Sequence, residues 1–135
     1  MMKRWNPETV GAPVGFYSHV ARVEADHDLV VVSGQIGALP DGTLAGPDAE
    51  TQTREVLANL ERVLAAAGAR PEHLVKVFSM VAGTEHLAGF RAAVGETFAR
   101  WFPSPDWPTQ SMVVVSALAR PEIVVEIEAT AAVPR

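Results

Sequence analysis

The pattern of apolar and polar positions predicts strands at the start of the chain. The run Leu29–Val32 is apolar and rich in β-branched residues, which is typical of a buried strand. The segment His19–Val23 alternates loosely between polar and apolar, and the polar cluster Ala25–Asp28 separates it from that run. We therefore expect the two segments to form a β-hairpin. The second strand should end at Gly34 and Gly37, before a turn over residues 39–43.

Helical spacing over Pro47–Ala67 predicts the first helix. Pro47 suits the first turn, and Asp48 and Glu50 suit the positive end of the helix dipole. Gly68 is placed to end the helix. The predicted buried stripe is Val56, Leu60, Val63, Leu64 and Ala67.

A second helix is predicted from Thr84, as N-cap, to about Phe102. Its predicted buried stripe is Leu87, Phe90, Val94, Phe98 and either Trp101 or Phe102. Three further strands are expected over Leu74–Val81, Gln110–Leu118 and Ile123–Ala132, the last two joined near residues 120–122.

Two helices against a mostly antiparallel sheet make an α+β sandwich of two layers. The helices cover one face of such a sheet. The strands nevertheless carry continuous apolar runs, which indicate burial on both faces. We therefore expect the second face to pack against other subunits.

Composition narrows the class of protein. A chain of 135 residues, 48% apolar and 20% charged, fits one globular domain over residues 1–135. The net charge of −5 and the scattered Lys and Arg argue against nucleic acid and anionic membranes as partners. The chain has no cysteine, no apolar signal segment and no long apolar run. We expect a soluble, cytoplasmic protein.

The sequence gives no motif for a metal or another cofactor. The four histidines, at positions 19, 27, 73 and 86, lack the spacing of metal ligands. The glycines at 34 and 37 lack the lysine and the spacing of a phosphate-binding loop. We therefore predict that no cofactor is bound.

Several short segments, in order, resemble the RidA/YjgF family of imine and enamine deaminases and related binding proteins. The resemblance runs from about Pro13 to Val133. It is carried by Gly15-Phe16-Tyr17-Ser18, Val32-Ser33-Gly34-Gln35-Ile36, Gln52-Thr53-Arg54, Leu74-Val75-Lys76-Val77 and Glu126-Ile127-Glu128-Ala129. The resemblance implies a chorismate-mutase-like fold, a homotrimer, and metabolite-binding clefts between subunits.

One position departs from the family pattern. In the deaminating members an arginine in a Pro-x-Arg-Ser segment binds the substrate carboxylate, but here the segment reads Pro108-Thr109-Gln110-Ser111. Arginine offers a charged fork of donors, whereas glutamine offers one neutral amide. Replacing a charged hydrogen bond by a neutral one weakens binding by roughly ten-fold to a few hundred-fold. Gln110 would better suit a ligand with an amide, carbonyl or hydroxyl group.

The resemblance implies a role for several residues. Glu126 would position water for attack on the imine carbon, and the Tyr17 ring would pack on a planar ligand. The backbone at Gly34 would approach the ligand, with Ser33 and Gln35 beside it. Each has a plainer alternative: Glu126 as an ordinary strand glutamate, Tyr17 as an interface aromatic, and Gly34 as a β-bulge.

Three more residues complete the candidate site. Trp107, in a proline-rich loop, would form an apolar wall, and Gln110 would orient the ligand. His19 shares the direction of Tyr17 if that segment is extended. Met80 also matches an aromatic position of the family, but plain packing is favoured there. Glu128 shares a face with Glu126, so spacing alone does not separate the two glutamates.

Three functions are considered for a chain with these residues. The first is an enzyme that hydrolyses or tautomerises an imine or enamine with Glu126 and a water. The second is a non-catalytic small-molecule binding or regulatory protein, favoured by the loss of the arginine. The third, a ribonuclease, is disfavoured by the acidic net charge.

Overall fold

The computed structural model describes residues 2–135. Its elements are β1 (Met2–Trp5), β2 (Val20–Val23), β3 (His27–Ile36), α1 (Ala49–Ala66), β4 (Leu74–Val81), α2 (Leu87–Trp101), β5 (Thr109–Val114) and β6 (Val125–Pro134). Four strands form a sheet in the order β3-β6-β4-β5, in which only β4 and β5 are parallel. Both helices pack on one face of this sheet, which confirms the predicted α+β sandwich.

Helix α1 begins and ends close to its predicted bounds. The Asp48 carboxylate accepts a hydrogen bond of 2.9 Å from the backbone N–H of Thr51 and caps the first turn. Gly68 follows the last turn with φ of +73°, a conformation that favours glycine. The buried stripe includes Val56, Leu60 and Leu64 as expected. The prediction was wrong for Val63 and Ala67, which are exposed because Thr53 and Leu57 complete the stripe instead.

Helix α2 has the predicted stripe but a different start. Phe90, Val94, Phe98 and Trp101 are buried, and Leu87 packs at their edge. The prediction of Thr84 as N-cap was wrong, because residues 84–86 form a short 3₁₀ turn and the Thr84 side chain caps nothing.

The predicted hairpin between β2 and β3 was also wrong. Strand β2 pairs with β1 in a separate two-stranded ribbon, and β3 pairs with β6. The ribbon lies at the end of the sheet where β4 begins, because Arg4 donates hydrogen bonds to the carbonyls of Glu72 and Leu74. Because β2 pairs with β1, β3 is an edge strand of the four-stranded sheet.

Strand β5 is shorter than predicted and stops at Val114. Its neighbour β4 ends at Val81, whose carbonyl accepts a last hydrogen bond from Val115, so residues 116–118 have no strand to pair with. On the face of the sheet without helices, Leu29 and Val31 of β3 are 69% and 72% exposed. That helix-free face therefore presents large apolar side chains in the isolated protomer.

Candidate functional site

The first group of candidate residues lies where β5 begins. The Gln110 side-chain amide donates a hydrogen bond of 2.8 Å to the carbonyl of Phe16. The Ser18 hydroxyl donates to the carbonyl of Trp107 at 2.6 Å, and the Ser18 N–H donates to the carbonyl of Pro108. These bonds fix the loop over residues 11–19 to the start of β5, so Gln110 and Trp107 lie beside that loop.

Tyr17 and His19 lie together on this loop. Their rings meet edge to face with centroids 5.6 Å apart. The Tyr17 hydroxyl accepts a bond of 3.3 Å from the N–H of Val14, so its own proton remains available to a ligand. His19 Nε2 lies 2.7 Å from the carbonyl of Gly11 and must carry the proton to bond it. His19 is therefore engaged within the loop.

Trp107 packs on Phe16 rather than standing alone. Their ring centroids are 5.2 Å apart with an interplanar angle of 40°. Phe16 is about half exposed, while Trp107 is half-buried against the core. Phe16 and Ser18 were not among the predicted site residues, because their contacts are with residues about ninety positions away in the chain.

The second group lies where β3 pairs with β6. The pairing register shifts between Val32 and Gln35, so Ser33 and Gly34 form a bulge. A Cβ built on Gly34 would lie 2.8 Å from Cδ of Glu126, and closer still to Oε2. Gly34 is thus both a bulge residue and a point of close approach, and the group it approaches in the protomer is the candidate carboxylate.

Ser33 and Gln35 lie on either side of Gly34 in β3. The Gln35 amide donates a hydrogen bond of 3.1 Å to the Ser33 carbonyl and so folds back on the bulge. Ser33 is exposed and Gln35 is half-buried. In the strand pairing Gln35 lies opposite Ile127, and Ile36 lies opposite Glu126.

Glu126 projects from the helix-free face of the sheet. Its neighbours Val125 and Ile127 are fully buried beneath the helices, so alternation directs Glu126 to the other side. Glu128 lies on the same face, in register with Phe78, as Glu126 is with Met80. Within residues 2–135, no side chain donates a hydrogen bond to the Glu126 carboxylate. The structure thus distinguishes the two glutamates, because only Glu126 lies against Gly34.

The two groups are separated within one protomer. Gln110 is in register with Val77, and Glu126 with Met80, on strands that β4 separates. Two strand spacings and three residues of rise put the Cα atoms of Gln110 and Glu126 roughly 14 Å apart. Val77 faces the helices, whereas Glu126 faces away from them. Gln110 and Glu126 therefore lie in different parts of the same protomer.

Two further findings concern metal binding and membrane crossing. Among the described residues, no three histidine or acidic side chains are grouped to hold a metal ion. Neither helix in this part of the chain is long and apolar enough to cross a membrane.

Residues 9–133 match the family model described as endoribonuclease L-PSP. The chain belongs to this family, and its relatives place it among the Rid (RidA/YjgF) proteins. The fold and the suspected resemblance are both confirmed by this membership.

Several relatives of this Rid protein are described by their activity. It is 36% identical over 112 residues to Reactive Intermediate Deaminase A, chloroplastic, of Arabidopsis thaliana, covering 82% of this chain and 56% of that protein. It is 30% identical to the 2-iminobutanoate/2-iminopropanoate deaminase of Salmonella typhimurium, covering 91% and 93% of the two chains. The crystal structure of the Rid family protein YyfB from Yersinia pestis superposes with a TM-score of 0.82 at 36% identity, covering 96% and 97%. Deaminases are thus among its homologues.

Proposed function

We propose that this Rid protein acts on a small imine, enamine or carbonyl metabolite, in clefts between the subunits of a homotrimer. The observation that carries this proposal is the Glu126 carboxylate, which lies against Gly34 on the helix-free face. No described side chain donates a hydrogen bond to it. A carboxylate left without a donor can take a proton from a water molecule beside a bound ligand.

Hydrolytic deamination follows from this arrangement. The water oxygen bonds to the imine carbon, its proton passes to Glu126, and the C=N electron pair moves to nitrogen. Glu126 then gives that proton to the nitrogen, which completes the carbinolamine. The carboxylate next takes the proton of the carbinolamine hydroxyl as the C=O bond forms and the C–N bond breaks, and it passes this proton to the nitrogen, which leaves as ammonia. In a tautomerisation, the same carboxylate would take a proton from one atom and return it to another.

The separation of the two residue groups supports a cleft between subunits. Tyr17, Trp107 and Gln110 lie at one edge of the sheet, and Gly34 and Glu126 lie toward the other. A ligand that uses both groups needs the second group from a neighbouring copy. The exposed apolar side chains of β3 are a surface on which such a copy can pack.

Gln110 argues against a standard 2-imino acid deaminase. Its amide nitrogen already bonds the Phe16 carbonyl, and an amide carries no charge to pair with a carboxylate. No described donor occupies its carbonyl oxygen, which suits an N–H or O–H group of a ligand. We infer that the natural ligand lacks the carboxylate that the family arginine binds.

The hydrogen bond of Gln110 also favours a second candidate, a non-catalytic binding or regulatory protein. In this hypothesis Gln110 fixes the loop that carries Tyr17, and the cleft binds a metabolite without turnover.

A ribonuclease is disfavoured, since most arginines form ion pairs with nearby carboxylates: Arg54 with Glu50, Arg62 with Glu55, Arg100 with Glu61 and Arg135 with Asp28.

Imine hydrolysis by defined variants tests the proposal. An amino-acid oxidase generates 2-imino acids, and keto-acid release is compared for the natural protein, Gln110→Arg, Glu126→Gln and Glu128→Gln. Activity in either the natural or the Gln110→Arg protein that falls at least ~100-fold in Glu126→Gln, but not in Glu128→Gln, supports the enzyme. Activity in Gln110→Arg alone would mean that the natural ligand lacks the carboxylate. If Glu126→Gln is as active as its parent, the role of Glu126 is wrong. If no variant turns over an imine, the binding protein is favoured.

A further inference from the structure

An apolar cavity lies between α2 and the loop that precedes β5. Its volume is about 250 Å³. The rings of Phe16, Phe98, Phe102 and Trp107 form its walls together with two prolines of the loop, and Gly95 and Ala99 of α2 form its floor. Phe16 and Trp107 also border the candidate site, but the other lining residues do not, so most of the cavity lies outside that site.

The floor of the cavity is open because α2 presents very small residues there. A Cβ on Gly95 would lie 3.6 Å from the ring of Phe16, which is ordinary contact, so the backbone does not require glycine for space at Cβ. Glycine in a helix interior is less favourable than alanine by about 1 kcal/mol. Its presence leaves room above α2 that a larger side chain would fill.

Phe16 forms the outer wall of the cavity, and its backbone is fixed by a residue outside the cavity. Phe16 is 48% exposed although its ring packs on Trp107. Its carbonyl accepts the hydrogen bond from Gln110, which fixes the backbone of this residue. A ring on a fixed backbone can turn about its side-chain torsions without moving the loop, and so admit a ligand.

The lining selects the chemistry of the ligand. No charged side chain lines the cavity, so a charged group would lose its hydration there without a partner. Four aromatic rings offer edge-to-face and offset contacts, which favour a flat aromatic ligand. We propose that this cavity binds one uncharged planar ring, the size of a phenyl or indole group.

Binding of p-cresol tests this site without reference to catalysis. The probe is titrated into uniformly ¹⁵N-labelled protein, and the side-chain N–H signal of Trp107 is followed and identified by its loss in Trp107→Phe. We expect it to shift saturably in the natural protein and in Ala65→Leu, a matched change on the exposed side of α1. In Gly95→Leu, where the added side chain fills the cavity, binding should weaken at least ~10-fold. Leucine is a good helix former, so α2 should remain folded.

Two results would overturn the cavity site. One is an unmoved Trp107 signal at the solubility limit of p-cresol. The other is equal affinity in the natural protein and in Gly95→Leu, which would place the probe elsewhere.

A second comparison identifies the source of the ring, and this step alone rests on the proposed function. In a parent that turns over imines, the 2-imino acids derived from phenylalanine and alanine are compared with and without Gly95→Leu. If the ring is part of the substrate, KM rises ~10-fold for the phenylalanine-derived imine only. If both imines respond equally, the ring belongs to a separate molecule. If no imine is turned over, the proposed function fails, while the p-cresol titration still decides the cavity site.

Discussion

Because Gly34 has no side chain, the Glu126 carboxylate can lie against the backbone of this residue. The strand pairing brings the Gly34 backbone against Glu126, and the bulge removes the regular ladder bonds between them. The carboxylate therefore rests on bare backbone rather than on another side chain.

Replacing Gly34 by alanine should displace the carboxylate. The added Cβ would overlap Glu126, so its side chain must leave the position beside the bulge. We expect Gly34→Ala to reduce turnover, or ligand affinity, at least ~10-fold while the far-ultraviolet circular dichroism stays unchanged. Gly11→Ala is the matched control, since a Cβ there meets no atom within 4 Å. Full activity in Gly34→Ala would contradict the placement of Glu126.

Gln52 is a buried polar residue with a structural role. It is fully buried, donates to the carbonyls of Gly46 and Glu122, and accepts from the N–H of Val124. Gln52→Leu would leave these backbone groups without partners and should lower the free energy of unfolding by about 2–5 kcal/mol in urea titrations. Gln35→Leu, which loses one local bond, should cost less than about 1 kcal/mol. Equal losses would refute this role.

At the scale of elements, the β1–β2 ribbon depends on one buried arginine. The Arg4 side chain is 5% exposed, and it donates to the carbonyls of Glu72 and Leu74 and to Asp106. Burial lowers the pKa of Arg4, and the Asp106 carboxylate opposes that shift. Arginine starts from so high a pKa that it stays charged at neutral pH. The charge is compensated by these acceptors.

Removing the Arg4 head group should release the ribbon. Arg4→Met keeps an apolar stem but loses every hydrogen bond, and we expect a loss of about 1–3 kcal/mol in the free energy of unfolding. Hydrogen exchange at the amides of β2 should accelerate more than exchange in β4. Lys3→Met, on the neighbouring exposed residue, loses only a cation–π contact with Trp5 and should change both quantities much less. Unchanged exchange in Arg4→Met would show that another contact anchors the ribbon.

The turn before β4 should make stability depend on acidity. Burial lowers the pKa of His73 from 6.5, and its Nδ1 accepts a hydrogen bond of 3.0 Å from the N–H of Arg70, which requires the unprotonated ring. The unfolded state therefore binds more protons in this range. The contribution of neutral His73 to the free energy of unfolding is complete above the ordinary pKa of histidine. It is lost as pH falls through the lower pKa of His73 in the folded state.

His73→Gln removes this titration. From about pH 7 to about pH 5, the natural protein should lose more stability than His73→Gln, as followed by thermal unfolding. His86→Gln serves as the comparison for a histidine outside this contact. Identical pH profiles for the natural protein and His73→Gln would contradict the contribution of His73 to the pH dependence of stability.

At the scale of the whole molecule, the helix-free face has no cover in one protomer. Leu29 and Val31 are among the most exposed large apolar side chains, and Glu126 lies on the same face. Exposed apolar side chains clustered on a sheet favour association with another surface. Closed rings of identical subunits are the common way to bury such a face.

A charge on this face should break the proposed trimer. We expect the natural protein to sediment as three chains and Val31→Lys as a single chain, because a lysine there would be buried without a partner. Val63→Lys, at an exposed position of α1, should leave the assembly intact. If the natural protein sediments as a single chain, the proposal of a cleft between subunits is wrong.

Local sequence determined the elements whose signals are local. The bounds of α1, the position of β4 and the glycine after α1 all follow from periodicity or from residue type. Periodicity identifies the side of an element that is buried, since the same spacing recurs along the chain.

Tertiary structure alone decided which segments meet. Pairing of β2 with β1, the anchoring of Arg4 to Asp106, and the bond from Gln110 to Phe16 join residues distant in sequence. The separation of Gln110 from Glu126 likewise depends on strand order, not on either motif. A pattern of apolar positions reports burial but not the partner, because many segments can satisfy the same buried face. The partner is selected by the packing of the complete chain.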